Sequence, residues 1–404
     1  MKTLKIIMID SLVGNDYSTC LCESLQENGV EVHLIVPENR QFSKKEKFKI
    51  LFLSPSKAKD KGKIKKIYGF IRYIFQLYHY IKNSQCDIVH YQFFRRRIEK
   101  LFFKFLKLRG VKLIITAHNV FPHRRSKLDN FWKSMVYKNT NAIIVHSNII
   151  KDKLIQNFNI DQKKISIIPH GNFDLYLPAT DITMEQARSS LSLSMSDNVL
   201  LFFGFIKPYK GLDLLLKAFE KSAEKDPNLK LVIAGSEQEM KKSVKSEIEN
   251  SQFKDRIIPF LSYIPNEEIV KYFNATDLVV LPYKNIDHSG IIHLAYSFGK
   301  AVIATNVGDF NEVIINNKSG KILKGKSFDE LSETITEMFK DKNKLREMGK
   351  YAKLLSETKY SWADISHQTI QLYNEVLFGS INKCLAQLFI IDKIYDLLYL
   401  YSYL

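Results

Sequence analysis

The stretch LPYKNIDHSGIIHLAYSFGKAVIAT, residues 281–305, runs from an apolar strand through a Pro-Tyr step into a polar turn. It then enters a short apolar helix and a second apolar strand. The turn closes on Asp287, His288, Ser289 and Gly290, and Ser289–Gly290 opens the helix directly. A buried strand that ends in a Ser-Gly turn and continues as a helix aims unbonded backbone N–H groups at one spot. That is how a chain builds a seat for an anion. Two near-continuous apolar strands joined by one helix are also the repeating unit of a parallel sheet covered on both faces.

The same alternation extends in both directions. Towards the N-terminus of the chain, strands are expected at 4–9, 30–36, 87–91, 111–117, 141–147 and 164–171, with helices at 16–28, 67–83 and 97–109. Gly, Asn, Pro, Asp and Ser break the rhythm over 171–195, and it restarts with strands at 198–204, 229–235, 256–261, 277–283 and 300–305. Helices are expected at 212–224, 237–250, 266–274, 290–298, 328–339 and 362–378, the fifth opened by a capping box of Ser327 and Glu330. The reading is α/β, with two Rossmann-like doubly wound domains: residues 1–172, a linker 173–195, residues 196–378, and a separate amphipathic tail 379–404.

Composition bounds the function. The chain has 404 residues, of which 45% are apolar and 25% charged, a globular balance. Its four cysteines form no C-x-x-C pair, which favours a reducing, cytoplasmic setting. The start MKTLKIIMID does not read as a signal peptide, and no apolar run is long enough for a spanning helix. The net charge of +17 is concentrated: residues 51–150 hold 21 Lys and Arg against 4 Asp and Glu. Such a face is either a solvated surface or one held against anionic lipid on the inner leaflet of the plasma membrane. Nucleic acid is disfavoured, since no finger, helix-turn-helix or RNP pattern accompanies the charge. The tail, with Ile390, Ile391, Ile394, Leu397 and Leu398 at helical spacing, reads either as a core helix or as an in-plane membrane helix.

In open parallel sheets, ligands bind beyond the carboxyl ends of strands. In FFGFIKPYKGLDLLLKAF (202–219), Gly204 ends a strand, Lys207 and Lys210 follow, and Gly211 opens an amphipathic helix. Two ammonium groups near a helix start suit a diphosphate. Gly235, in VIAGSEQE (232–239), lets a ligand approach the backbone; Ser289 and Gly290 supply helix amides, with Asp287 and His288 at the rim. In the first half, strand 111–117 ends in His118, and Gly14 with Asn15 follows strand 4–9 on the same edge. His118 is a candidate contact for a substrate hydroxyl or a developing charge; His123, His146 and His170 read as structural. No metal is expected: the histidines make no H-E-x-x-H set and no Asp-x-Asp stands at a strand end. No G-x-S-x-G nucleophile elbow is present, and the first strand lacks the G-x-G-x-x-G of a dinucleotide redox enzyme.

FFGFIKPYKGLDLLLKAF, LVIAGSEQE, SYIPNEEIVKYFNATDLVVLPY, SGIIHLAYSFGKAVIATNVGDFNEVI and the late YSW, in this order and together with HNVFPH, resemble the group 1, or family 4, glycosyltransferases of GT-B fold. The resemblance is dense over 198–320 and thinner before 110. It implies transfer of a sugar from a nucleotide diphosphate sugar, with the nucleotide on the C-terminal domain and the acceptor on the N-terminal one, across a cleft. His118 matches the family His that meets the donor sugar. Lys210 matches the diphosphate Lys, and Phe205 stands where the family has Arg, which leaves Lys207 to supply the second charge. The family's two Glu, eight positions apart, are not both kept: in one register Asp287 stands for the first, and the second, which holds the ribose, is absent. Glu312 in GDFNEV matches another family Glu and is expected to hold the ribose instead.

The expected activity is therefore a metal-independent hexosyltransferase with a nucleotide diphosphate sugar as co-substrate and no cofactor. Its acceptor is a saccharide or a lipid-diphosphate-linked glycan, in bacterial surface polysaccharide synthesis. His118, Lys210 and Asp287 are the candidate catalytic residues, and Gly14, Gly204, Lys207, Gly235, Ser289, Gly290 and Glu312 complete the donor site. Domain closure is expected to exclude water from the reacting centre. Two alternatives share the fold: a sugar-nucleotide epimerase, and a degenerate protein that binds a partner or membrane.

Overall fold

The computed structural model describes residues 3–12, 16–40, 42, 46–53, 63–93, 99–119, 127–177, 182–240 and 243–379. The chain divides into two compact units. One comprises residues 1–145, 153–168 and 365–404, and the other 146–152 and 169–364.

The first unit is built on seven strands: β1 (Lys5–Asp10), β2 (Glu31–Val36), β3 (Lys49–Phe52), β4 (Ile88–Phe93), β5 (Leu113–Thr116), β6 (Ala142–Val145) and β7 (Ile165–Ile167). They form one sheet in the order β3-β2-β1-β4-β5-β6-β7, parallel throughout. β5 and β6 are buried at every position, which is why their sequences are continuous Ile, Leu and Val rather than alternating.

The second unit holds β8 (Asn198–Phe203), β9 (Leu229–Ala234), β10 (Ile257–Phe260), β11 (Leu278–Leu281), β12 (Ala301–Thr305) and β13 (Gly320–Leu323). Their order is β10-β9-β8-β11-β12-β13, again all parallel. Alternate residues of β8 feed two cores on opposite sheet faces: Val199, Leu201 and Phe203 on one, Leu200 and Phe202 on the other. The strand order reverses between β8 and β11, and the carboxyl ends of strands at such a switch point are where open parallel sheets bind ligands.

Several expectations need correction. β3 and β13 are additional strands: β3 lies at its sheet's edge with half its positions exposed, and β13 begins at Gly320 with a lysine after it, so neither shows a continuous apolar run. The expected helix 237–250 is only Val244–Glu249: Glu237 is held in a parallel bridge with Ile206, and Glu239 has a left-handed φ of +58. Ser327 caps its helix through the Asp329 N–H, but Glu330 turns away and accepts from the N–H groups of Lys324 and Gly325, so no capping box forms.

The segment 173–195 is not a free linker. Its helix Met184–Ser190 has a complete capping box, and Ala187, Leu191 and Leu193 lie in the second unit's core. Arg188 is buried there, donating to Asp277 at 2.7 Å and to four backbone carbonyls. The helix Trp362–Phe378 does not close the second unit either. From Ile365 onward it belongs to the first. There the Tyr373 hydroxyl meets His90 Nδ1 at 2.7 Å, and the Ser366 and Ser24 hydroxyls lie 2.9 Å apart. Polar groups spaced along an otherwise ordinary amphipathic helix do not announce which unit they will face. The tail 380–404, and with it the choice between a core helix and a membrane helix, lies outside the described residues.

Candidate functional site

The crevice beside β8 and β11 gathers most of the residues expected to bind a donor. Gly211, with φ +71, comes so close to the Pro282 carbonyl oxygen that any Cβ would collide with it. That contact lays the loop after β8 against the loop after β11, and the Lys284 N–H donates to the Tyr209 carbonyl at 2.7 Å across the same seam. Lys210 is thereby folded back over the end of its own strand. Its Nζ and the Ile291 Cδ1 stand 3.1 and 3.4 Å from the point where a Gly204 side chain would begin. Lys210 thus sits beside the first turn of the helix Gly290–Ser297. The Ser289 side chain makes no capping bond to that turn, so the N-cap hydroxyl does not compete for the amides at the positive end of the helix dipole. Gly235, with φ +149, lies against the Gly204 carbonyl oxygen and forms the floor.

The electrostatics of Lys210 are unusual. The residue is only 7% exposed, and its Nζ lies 5.6 Å from the centre of the Tyr283 ring. No carboxylate pairs with it or with Lys207 among the described residues. Burial, with repulsion from Lys207 added, pulls its pKa down to about 8. A buried ammonium without a counter-ion is costly, and the cost is removed when an anion arrives. Phe205, in place of an expected Arg, is 44% exposed and lies 6.5 Å from Tyr263, so it adds an aromatic surface rather than a charge.

The turn before Ser289 is tied down from beneath. The Asp287 carbonyl accepts from the Asp309 N–H at 3.2 Å. His288 is not a rim imidazole: its side chain is 7% exposed, and its Nδ1 lies 2.5 Å from Oδ2 of the buried Asp309. Four histidines collect here. The His170 ring is 4.9 Å from His288, 5.2 Å from His293 and 5.3 Å from His146. Burial, reinforced by the neighbouring imidazoles, holds the pKa values of His170 and His293 well below the usual histidine range. Sequence reasoning missed this cluster. Positions 146, 170, 288 and 293 share no short motif, and only the return of the chain brings them together.

His118 stands in the first unit, just past the carboxyl end of β5 and buried. Its Nε2 donates to Gln92 Oε1 at 2.9 Å, and its ring meets Tyr17 edge-on at 4.9 Å. The Gln92 bond fixes the tautomer with the proton on Nε2. Behind it His90, buried between Thr116 and Tyr373, has its pKa pushed down to about 3 by desolvation. Gly14 lies outside the described residues.

Glu312 corrects the sequence reading most clearly. Its two carboxylate oxygens accept from the Asn148 N–H at 2.8 Å, the Asn148 Nδ2 at 2.9 Å and the Ile149 N–H at 3.0 Å. It caps the start of the helix Asn148–Phe158 instead of waiting for a ribose. A long-range carboxylate cap is invisible to local spacing.

The chain matches two family models, glycosyl transferases group 1 over residues 183–355 and glycosyltransferase family 4 over residues 16–171. Among curated proteins it is 25% identical over 292 residues to a D-inositol 3-phosphate glycosyltransferase of Corynebacterium aurimucosum, covering 69% of each chain. Among solved structures it resembles the sucrose-phosphate synthase of Thermosynechococcus elongatus, with a TM-score of 0.72 at 18% identity, over 93% of this chain and all of that one. It also resembles Anabaena HepE in complex with UDP-glucose, with a TM-score of 0.72 at 13% identity, over 92% of this chain and all of that one.

Proposed function

Since the chain belongs to the group 1 glycosyltransferases of GT-B fold, we propose that it transfers a hexose from a nucleotide diphosphate sugar, seating the diphosphate at the β8–β11 crevice. The observation that carries this reading is Lys210: a buried ammonium with no carboxylate partner among the described residues, over Gly204 and beside a helix start that the Ser289 side chain does not cap. In this reading Lys210 and Lys207 neutralise the diphosphate with no ion bridging the phosphates, and the amides at Ser289 and Gly290 take its oxygens. The charges stabilise the nucleotide diphosphate as it departs, which is where negative charge grows in the transition state. His118 orients the sugar or shares charge with the reacting centre, and Asp287 stands for the first family carboxylate. The complex of Anabaena HepE with UDP-glucose supports a nucleotide sugar as donor.

The acceptor side of the proposal is a saccharide or lipid-diphosphate-linked glycan at an anionic leaflet, in surface polysaccharide synthesis. The helices Lys63–Ser84 and Glu99–Leu108 support it. Between them lies an apolar groove of about 400 Å³ lined by Ile71, Ile74, Phe75, Tyr78, Leu101 and Phe105, among others. Phe75 is 68% exposed, and Lys65, Arg72, Lys82, Lys104 and Lys107 lie on the same two helices. Exposed apolar side chains and cations on the same two helices fit the boundary between headgroups and acyl chains. No helix among the described residues is long and apolar enough to cross a membrane.

The test is release of nucleotide diphosphate from a panel of labelled nucleotide sugars, with and without lipid-linked acceptor extracts. Acceptor-dependent release with transfer of label supports a transferase. Isomerisation of the donor without acceptor identifies an epimerase, and inertness towards every donor refutes catalysis at this site.

A further inference from the structure

The histidines beneath the Ser289 turn are not used by the diphosphate seat. We infer that His170, His288 and His293 form a binding site for one divalent transition-metal cation of the zinc class. Each offers a ring nitrogen, and the three nitrogens lie within 4.8 Å of one another. Zinc at ~2.0–2.1 Å from each ligand needs nitrogens roughly 3.3 Å apart, so modest side-chain rotation closes the set around an ion.

The supporting contacts are already in place. Asp309, fully buried, holds His288 through Nδ1 and so presents Nε2 as the lone-pair nitrogen; that Nε2 is buried with no partner among the described residues. A carboxylate behind a histidine is the usual device for orienting a metal ligand and raising its basicity. His293 is 1% exposed, and its Nδ1 is likewise buried without a partner. His170 meets the Gly171 carbonyl through Nδ1 at 2.7 Å, which assigns that nitrogen as donor and directs the lone pair to the other. Two unpaired imidazole nitrogens inside one core are costly, and one cation satisfies both.

The donor set selects the ion. Three neutral nitrogens suit Zn²⁺, Co²⁺, Ni²⁺ or Cu²⁺, whereas Mg²⁺ and Ca²⁺ take oxygen. The cation would pin together three segments of the second unit: the stretch at His170, the turn at His288 and the helix holding His293. It therefore differs in kind from an ion bridging phosphates, and the inference does not depend on the activity proposed above.

The experiment uses the full chain, freed of any affinity tag and dialysed against chelator. Zn²⁺ is titrated calorimetrically and by thermal melting, Co²⁺ by visible absorption, and Mg²⁺ as the control. One equivalent of Zn²⁺ is expected, raising the melting temperature by roughly 5 °C or more at a hundredfold excess over Kd. Co²⁺ should show ligand-field bands of a low-coordinate nitrogen site, and Mg²⁺ should do nothing. His288→Gln and His293→Gln should each abolish the response with circular dichroism unchanged. Should His293→Gln unfold the buried core, Asp309→Asn serves in its place and should weaken Zn²⁺ by ~10–100-fold. The inference is overturned if Zn²⁺ leaves the melt unmoved, if His288→Gln retains full affinity, or if Mg²⁺ stabilises equally.

Discussion

Replacing Lys210 by Met separates the two things this residue does. In the ligand-free fold, burial pulls its pKa from 10.5 to about 8. At pH 7 the ammonium is nonetheless charged in both folded and unfolded states. Folding therefore bears the full penalty of a gap of ~2.5 pKa units, about 3 kcal/mol at 1.36 kcal/mol per unit. Met fills a similar volume without charge, so Lys210→Met should stabilise the ligand-free protein by ~2–3 kcal/mol. The same change removes a charge-assisted contact to phosphate worth about 1.5–3 kcal/mol, so the Kd for nucleoside diphosphate should rise by roughly ten- to hundredfold. Stability and affinity thus move in opposite directions. Urea melts without ligand and calorimetry with UDP, GDP and ADP measure the two effects. A pH series adds a third reading. In the wild type, affinity should be full below pH 8 and fall by up to tenfold per unit as the free amine loses its proton. Lys210→Arg should flatten that decline, because guanidinium stays charged. A Lys210→Met protein that melts lower than wild type, or binds diphosphates equally well, would refute the idea of a cation held ready for an anion.

Three further expectations follow from individual contacts. Glu312→Gln should cost about 1–2 kcal/mol in denaturant stability by weakening the cap on Asn148 and Ile149, with nucleotide affinity unchanged; a loss of affinity at full stability would restore the ribose role. His90, neutral in the fold with a pKa near 3, binds its proton more readily unfolded, so stability is fully present above pH 6.5 and is lost as pH falls towards 3. Its share of that slope, up to ~1.4 kcal/mol per pH unit, should vanish in His90→Gln, and parallel pH–stability curves for the two proteins would rule the assignment out. Phe75→Glu should reduce cosedimentation with vesicles rich in anionic lipid, which itself should weaken as salt is raised; equal binding to neutral vesicles, or no effect of the variant, would count against the leaflet face.

Much of this protein is legible without coordinates, for definite reasons. A strand buried on both faces must be apolar at nearly every position, so β8, β9, β11 and β12 declare themselves, and the alternation with helices dictates parallel sheets. A glycine that ends a strand before two lysines and a second glycine marks a phosphate-sized opening, and Gly204, Lys210 and the start of the helix at Gly290 do converge. The failures lie where a side chain answers a partner distant in the chain. Glu312 and Asn148 are 164 positions apart, so a residue matched as a ribose ligand became a helix cap. Ile365–Phe378 has the pattern of any amphipathic helix, and only packing assigns it to the first unit.

Periodicity and turn chemistry are local properties, carried by neighbouring residues through backbone sterics and the need to bury one face. They settled the fold class and the position of most strands from the sequence alone. Which charge is buried without a counter-ion, which carboxylate is already engaged, and which four histidines share a core depend on the return of the chain from far away. Those were decided by tertiary structure, because desolvation and hydrogen bonding act on distance in space rather than on separation along the chain.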